Sequence, residues 1–175
     1  MKKKFGISCI KDYSQVNGSG NRCVIWTQGC SLRCPGCFNT DLQPFQKGKS
    51  FDPVALGIHL AQLNCDGLTI SGGEPLDQNY ALYKLICTYR QHCEKNILLF
   101  TGYSLQEIKK SPKKMRTILV TDAVLCGRYR PGRQWNNKRL LLISGRLTEQ
   151  EILPIRDIEI SMQDGTAYMT GYPNL

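Results

Sequence analysis

Three cysteines lie close together near the start of the chain, at Cys30, Cys34 and Cys37. A loop of this length can wrap three thiolates around one small inorganic centre, and Pro35 and Gly36 let the backbone turn tightly between the last two. Iron–sulfur clusters are held by cysteine thiolates, and a four-iron cluster usually takes four. Three ligands therefore predict a cluster with one iron open to a substrate, by the logic of a catalytic zinc with an open position.

Zinc is the main alternative to iron in this loop. It would need a fourth ligand, such as Cys9, Cys23 or His59, and the sequence has neither a second Cys-x-x-Cys nor a His pair. Nine cysteines are an odd number, so a fully paired disulfide framework is impossible within one chain. Four of them lie within strand or helix patterns, and we interpret them as packing residues: Cys23, Cys65, Cys87 and Cys93.

A second motif, Gly72-Gly73-Glu74-Pro75, directly follows a strand-like segment. On their own, paired glycines after a strand more often mark a tight turn. They also allow a ligand to approach the backbone closely, because no Cβ stands in the way. The motif is therefore a candidate binding site, and the residues that lie beside it in the fold decide which ligand it can bind.

Strand-like and helix-like segments alternate along the chain, and this pattern decides where the two motifs lie. Asp52 and Pro53 predict the start of a helix through about residue 63, and Ser104 with Glu107 predicts a capping box. Another helix is predicted from Asn79 to Cys93. The predicted strands are Arg22 to Thr27, Gly67 to Ser71, Ile97 to Thr101, Ala123 to Cys126 and Leu140 to Ile143. Segments 157–163 and 166–171, around Asp164-Gly165, predict a hairpin.

Such alternation predicts a parallel sheet with right-handed crossovers and a site at the carboxyl ends of the strands. Several of these ends carry unusual residues, namely Gly29-Cys30, Gly72 to Pro75, Thr101-Gly102 and Cys126-Gly127-Arg128. The chain of 175 residues is too short for a full eight-stranded barrel. We therefore expect an α/β fold that forms a partial, open barrel with mainly parallel strands, followed by a C-terminal β-hairpin.

The cysteine triplet and the Gly-Gly-Glu-Pro motif together match the radical S-adenosylmethionine superfamily. The resemblance implies a [4Fe-4S] cluster on Cys30, Cys34 and Cys37, with S-adenosyl-L-methionine chelating the unique iron. It also implies that the peptide groups of the segment Gly72, Gly73, Glu74 and Pro75 bind the ammonium group of the cofactor. The cluster and the cofactor would carry the chemistry, so no catalytic side chain is assigned.

Five motifs in order, over residues 13 to 143, resemble the activating enzymes of anaerobic ribonucleotide reductase, a family of glycyl-radical-enzyme activases. They are residues 16–23, residues 29–39 with Phe38 and Asn39, the stretch 71–76, Phe100-Thr101-Gly102-Tyr103, and Cys126-Gly127-Arg128-Tyr129. The match ends near the basic run 133–139. Thr101, Cys126 and Arg128 thereby join Phe38 and Asn39 as candidate cofactor-binding residues. We expect one domain over 1–175, with its core at about 13–143 and an extension at about 145–175.

By this resemblance, the protein would install a glycyl radical on a large partner, an anaerobic ribonucleotide reductase. The chain departs from the family at Cys126, where an aspartate is usual, and at Trp135-Asn136, where the family has two serines. These departures bear on the substrate and not on membership of the superfamily. A compact radical enzyme acting on a small molecule, such as a carboxy-deazaguanine synthase, or an activase of another glycyl-radical or peptide substrate, therefore stays an alternative.

The formal charge of +9 comes from basic clusters at 2–4, 109–116 and 128–139. The first two suit a solvated face, or the docking of an acidic electron donor such as a flavodoxin. No stacking or helix-turn-helix motif supports a nucleic-acid partner. No apolar run is long enough to span a bilayer, and the start lacks the apolar stretch of a signal peptide, so we expect no membrane partner and a cytoplasmic location.

Overall fold

A computed structural model describes residues 4–131, 138–152, 158–163 and 166–171, with the backbone alone for 161–163 and 166–168. None of the helices in these ranges is long and apolar enough to cross a membrane. The turn Asp164-Gly165 and residues 133–137 of the basic run, with Trp135 and Asn136, lie outside the described residues. Those parts of the sequence analysis stay predictions.

The described strands form a seven-stranded sheet and a separate two-stranded hairpin. The sheet strands are β1 (Phe5–Ser14), β2 (Arg22–Thr27), β3 (Lys49–Phe51), β4 (Gly67–Gly72), β5 (Asn96–Thr101), β6 (Ala123–Cys126) and β7 (Arg139–Leu142). Their order across the sheet is β3-β1-β2-β4-β5-β6-β7. The hairpin consists of β8 (Ile158–Gln163) and β9 (Thr166–Gly171), which pair antiparallel, as the sequence predicts.

The four central strands, β2, β4, β5 and β6, are parallel and adjacent in the order of the sequence. Each crossover therefore moves one position in the same direction, and all four carboxyl ends meet at one edge of the sheet. The outer strands differ, because β1 is antiparallel to β2 and β3, and β7 is antiparallel to β6. The mixed α/β fold with a parallel centre is confirmed, whereas the sequence pattern did not predict β1 and β3.

The helices are α1 (Pro53–Gln62), α2 (Asn79–His92), α3 (Leu105–Lys109), α4 (Pro112–Ile118) and α5 (Glu149–Ile152). Two predicted starts are confirmed in detail. Asp52 accepts hydrogen bonds from the amides of Val54 and Ala55, and Ser104 forms a reciprocal capping box with Glu107. These local signals fix where α1 and α3 begin, and so they fix the crossovers on either side.

Side chains alternate between two apolar layers along the central strands. Ile25, Ile70, Leu99 and Val124 pack against α1 and α2 in the larger core. Leu98, Phe100 and Leu125 face the opposite side, where Leu147 and Ile152 cover part of the sheet. The rest of that second face is left for the carboxyl-end loops and for the hairpin.

The hairpin is joined to the sheet by polar contacts. The Lys11 ammonium group lies 2.9 Å from the Glu159 carboxylate, and the Asn17 side-chain amide donates to the Thr170 hydroxyl at 3.0 Å. Lys11 pairs in β1 with Val24, on the strand face that the helices do not cover. The hairpin therefore lies over the first strands of the sheet, on the side opposite α1 and α2.

Candidate functional site

The three cysteines of the triplet line one cavity, at the edge of the sheet where the parallel strands end. Its volume is about 130 Å³. The cavity brings together nine of the twelve predicted site residues, which are Cys30, Cys34, Cys37, Phe38, Asn39, Gly72, Gly73, Glu74 and Thr101. Two motifs that lie about forty residues apart in the sequence therefore face each other across a single space.

The loop that carries the cysteines is fixed by backbone hydrogen bonds. The Gly29 and Cys30 amides donate to the carbonyls of Leu42 and Gln43 at 2.8 and 2.9 Å, and the Cys37 amide donates to the Cys34 carbonyl at 3.1 Å. All three thiols are partly exposed and free of disulfides. Burial raises the pKa of the Cys30 thiol, so binding a cation is what would favour its thiolate form.

The paired glycines have little room for a side chain. Gly72 has φ +112, and a Cβ on Gly73 would lie 2.7 Å from the Leu42 carbonyl oxygen and closer still to that of Gly29. The Glu74 amide donates to the Gly29 carbonyl at 2.9 Å, which joins the glycine turn to the start of the cysteine loop. Glycine is required here because the two backbones touch.

Glu74 is fully buried and connects the ends of β4 and β5. One carboxylate oxygen accepts from the Thr101 hydroxyl at 2.7 Å and from the Leu76 amide at 2.9 Å, and the other accepts from the Gly102 amide at 2.7 Å. Burial outweighs these hydrogen bonds and raises the pKa of Glu74 to about 7. The carboxylate thus holds two strand ends in register beside the cavity.

Three predicted site residues do not line the cavity: Pro75, Cys126 and Arg128. Cys126 is buried in the helix-side core, and its thiol donates to the Arg139 carbonyl at 3.3 Å. The Arg128 guanidinium donates to the Gly102 carbonyl at 2.5 Å and pairs with Glu107 at 2.6 Å. The side chain of Arg128 therefore binds the turn after β5 from outside the cavity.

The structure adds residues that the sequence analysis did not assign to the site. Lys138 lines the cavity, and its ammonium group donates to the Gly127 carbonyl at 2.8 Å. Burial lowers the pKa of Lys138, and the neighbouring Cys34 and Glu74 oppose this shift. The basic run at 128–139 signalled Lys138, but its charge alone did not place it among the cavity residues. Ser71, Phe100, Gly102, Leu32 and Tyr129 also line the cavity.

Two aromatic residues border the open side of the cavity. The rings of Phe38 and Tyr129 lie 6.1 Å apart, and Phe38 is 56% exposed. Aromatic rings at this position can cover a planar group and exclude water from it. The cavity is thus lined by thiols, aromatic rings and bare backbone.

The donor set fits a polynuclear cluster better than a single metal ion. In the ranges that the structure covers, no three His, Cys, Asp or Glu side chains come together closely enough to hold one ion. Cys23, one of the possible fourth zinc ligands, is fully buried in the core, and Cys9 lines a different cavity. Three separated thiols beside bare backbone are suited to a larger centre that keeps a coordination position open.

Comparisons with known proteins agree with this geometry. A family model described as a 4Fe-4S single cluster domain matches residues 16–148. The chain is similar to the anaerobic ribonucleoside-triphosphate reductase-activating protein of Escherichia coli (strain K12), with 32% identity over 123 residues, which cover 65% of this chain and 78% of that protein. For the proteins of the same description from Haemophilus influenzae and Enterobacteria phage T4, identity is 30% and 32%, over 77% and 74% of their lengths and 65% of this chain.

Proposed function

The chain belongs to the family of anaerobic ribonucleoside-triphosphate reductase-activating proteins, and from this membership we propose that it is a radical S-adenosylmethionine enzyme that installs a glycyl radical on an anaerobic ribonucleotide reductase. One observation supports the proposal above all others. The cysteine triplet and the Gly72-Gly73 turn, far apart in the sequence, line the same cavity at the carboxyl ends of the parallel strands. We also propose that the sheet forms the partial, open barrel that the sequence predicts.

In this function, the thiolates of Cys30, Cys34 and Cys37 hold a [4Fe-4S] cluster. When bound, the cluster and S-adenosyl-L-methionine supply the one-electron cleavage that gives methionine and a 5′-deoxyadenosyl radical. The backbone at Gly72 and Gly73 binds the amino-acid end of the cofactor, because a ligand can reach their peptide groups without meeting a Cβ.

The remaining cavity residues position the cofactor and protect it. Glu74 fixes the glycine turn against Thr101, so that the backbone groups keep their direction. The partly buried ammonium group of Lys138 adds positive charge beside the thiolates and is available to a carboxylate. Phe38 and Tyr129 limit the access of water from the open side.

A basic surface next to the cysteine loop is suited to an acidic electron donor such as a flavodoxin. Lys4, Lys113 and Arg116 line a surface depression of about 550 Å³ that also includes Asp77. The Asp77 carboxylate accepts from the Ser31 amide at 2.7 Å, within the cysteine loop. Complementary charge would speed the encounter of an acidic donor with this surface.

The test is reconstitution of the protein with iron and sulfide without oxygen, followed by reduction in the presence of S-adenosyl-L-methionine. We expect 5′-deoxyadenosine, and a glycyl EPR signal when the reductase encoded in the same genome is added. Cleavage of the cofactor without a glycyl signal would contradict activation of that reductase. Stimulation of 5′-deoxyadenosine formation by a small molecule alone would favour the small-molecule alternative.

A further inference from the structure

A second cavity, of about 320 Å³, opens beside the candidate cofactor site. We call it the hairpin groove, and its walls are β1 with Ser8, Cys9, Ile10 and Lys11, the loop from Phe38 to Leu42, and β9 with Met169 and Thr170. Trp26 on β2 also lines it. Phe38 and Asn39 line both the hairpin groove and the cavity of the cysteines. The two spaces are therefore adjacent, separated only by the loop that follows the cysteine triplet.

This adjacency matters because the glycine that gives up a hydrogen atom must come into contact with the cofactor. Two other surface cavities, beside α2 and between α1 and α2, share no lining residue with the cofactor cavity. The hairpin groove shares two lining residues, Phe38 and Asn39, with the cofactor cavity. A partner segment lying in it would have one end at Phe38, on the open side of the cofactor site.

The β1 wall offers unpaired backbone to such a segment. On its outer side, β1 pairs with β3 only at Phe5, Gly6 and Ile7. Beyond Ile7, no described strand pairs with that side of β1, and Ser8 to Lys11 line the groove. An open strand edge is a template for an added strand, so an extended segment can hydrogen-bond along this stretch.

The opposite wall carries the exposed apolar side chain of Met169. Met169 pairs with Ile160 across the hairpin, which places the two side chains on one face, and they are 53% and 64% exposed. The hairpin is held beside β1 by the Lys11–Glu159 ion pair and by the Asn17–Thr170 hydrogen bond. An apolar surface next to an open edge favours a partner strand with small or apolar side chains.

Charge also distinguishes this groove from the basic surface near Lys113 and Arg116. Among the described residues that line it, the one cation is Lys11, which is already paired with Glu159, and the one anion is Asp41. In a chain of formal charge +9, this is a nearly neutral surface. The groove therefore favours an uncharged segment, whereas an acidic protein would be attracted to the other face.

We propose that the hairpin groove binds the glycine-bearing segment of the partner reductase as an extended strand along the open edge of β1. The inference rests on the proposed function, since it names the part of the partner that this site receives. The hairpin supplies the second wall and thereby helps to select the segment. The glycine would lie at the Phe38 end, where the groove adjoins the cofactor cavity.

The test uses the reconstituted enzyme and a fluorescent ten-residue peptide that spans the radical-bearing glycine of the reductase from the same genome. Met169→Trp fills the groove, and Ile158→Trp is the matched control, because Ile158 lies on the same hairpin, is 43% exposed and does not line the groove. We expect Met169→Trp to weaken peptide binding at least fivefold, measured by fluorescence anisotropy, and Ile158→Trp to leave it within twofold. Equal affinities for the two variants would overturn the inference.

A second measurement on the unaltered enzyme does not depend on either variant. A photoreactive group on the peptide, next to the glycine, should cross-link to residues 8–11, 38–42 or 169–170. Cross-links confined to other surfaces would refute the groove as the docking site. The proposed function has its own readout, the glycyl EPR signal with the intact reductase, so a signal together with misplaced cross-links would reject this inference alone.

Discussion

The hydroxyl of Thr101 donates a 2.7 Å hydrogen bond to the carboxylate of Glu74, and this contact joins the ends of β4 and β5 inside the protein. Glu74 lies between the glycine turn and the turn that begins at Gly102, whose amide it also binds. A single buried carboxylate thus sets the relative position of two of the strand ends that form the candidate site.

Glu74 should make stability depend on pH in a specific direction. Its pKa is raised from 4.5 to about 7 in the folded protein, so the folded state holds a proton that the unfolded chain has lost between these values. Stability is therefore lost as pH rises from about 4.5 to about 7. Relative to Glu74→Gln, we expect the wild-type protein to lose about 2 kcal/mol between pH 5.5 and 8.5 in urea unfolding.

Glu107→Gln is the matched control for this experiment. The Ser104 amide, followed by Arg128, lowers the pKa of Glu107 to about 2, so its stabilising effect is complete above pH 5 and is lost only as pH falls from about 4.5 towards 2. The difference between wild type and Glu107→Gln should stay constant from pH 5.5 to 8.5. A constant difference for Glu74→Gln as well would contradict the raised pKa of Glu74.

Gly73 should not tolerate even a methyl group. In Gly73→Ala, the added Cβ would press against the carbonyls of Gly29 and Leu42, so the cysteine loop would have to move. We expect a loss of at least about 2 kcal/mol in unfolding free energy and weaker binding of S-adenosyl-L-methionine. Gly145→Ala is the control, because nothing lies within 4 Å of its added Cβ, and its stability should be unchanged within about 0.5 kcal/mol.

The three cavity cysteines should be required for iron. After anaerobic reconstitution, the wild-type protein should hold about four irons per chain. Cys30→Ala, Cys34→Ala and Cys37→Ala should each lose most of this iron, whereas Cys87→Ala, on helix α2, should keep it. Iron and labile sulfide analysis, with the visible absorption spectrum, measures the outcome. Stoichiometric zinc in place of iron would contradict the cluster.

Lys138 should affect the reduction potential of the cluster. Its ammonium group lies in the same cavity as the thiols, and a nearby positive charge favours the reduced, more negative form. Lys138→Gln should therefore lower the midpoint potential by about 70 mV, the effect of one charge at roughly 10 Å in a medium of effective dielectric constant about 20. Lys84→Gln, on the exposed face of α2, should leave the potential unchanged. An EPR-monitored titration distinguishes the two results.

Arg22 should be important for stability without affecting the site. Its buried guanidinium donates to the Thr69 hydroxyl at 2.6 Å, to the Asn96 side-chain oxygen at 2.7 Å and to the Leu68 carbonyl at 3.0 Å. Lysine cannot reproduce this planar set of donors, so Arg22→Lys should cost about 2–4 kcal/mol in urea unfolding. Arg146→Lys, whose partner Glu94 is highly exposed, should cost less than about 1 kcal/mol.

Where the fold follows from local signals, the sequence was sufficient. The strand Arg22–Thr27 has the predicted bounds, and Asp52 and Ser104 cap helices as expected. Strand β1 was not predicted, because Gly6, Ser8 and Lys11 interrupt its apolar residues. Its pairing with two neighbours stabilises it, and that pairing depends on residues far away in the sequence.

The candidate site, like the fold, could be predicted from the sequence only in part. The cysteines and the glycine turn line one cavity, because each motif follows a parallel strand and the carboxyl ends of such strands meet at one edge of the sheet. Cys126, a predicted cofactor-binding residue, does not line that cavity, because the alternation of side chains along β6 directs it, like Val124, toward the helices. The sequence analysis did not assign Lys138 to the site. Lys138 reaches the cavity because β7 pairs with β6, and the local sequence does not show that pairing.

The bond between Asn17 and Thr170 spans 153 positions of the chain. Ribosomes deliver a protein from its N-terminus, so the cysteine loop, the glycine turn and all seven strands of the sheet emerge before the hairpin does. The wall that completes the groove beside β1 is therefore the last described part to be made. Translation interrupted before residue 158 would leave a chain with every candidate cluster ligand but without the surface that we propose selects the partner.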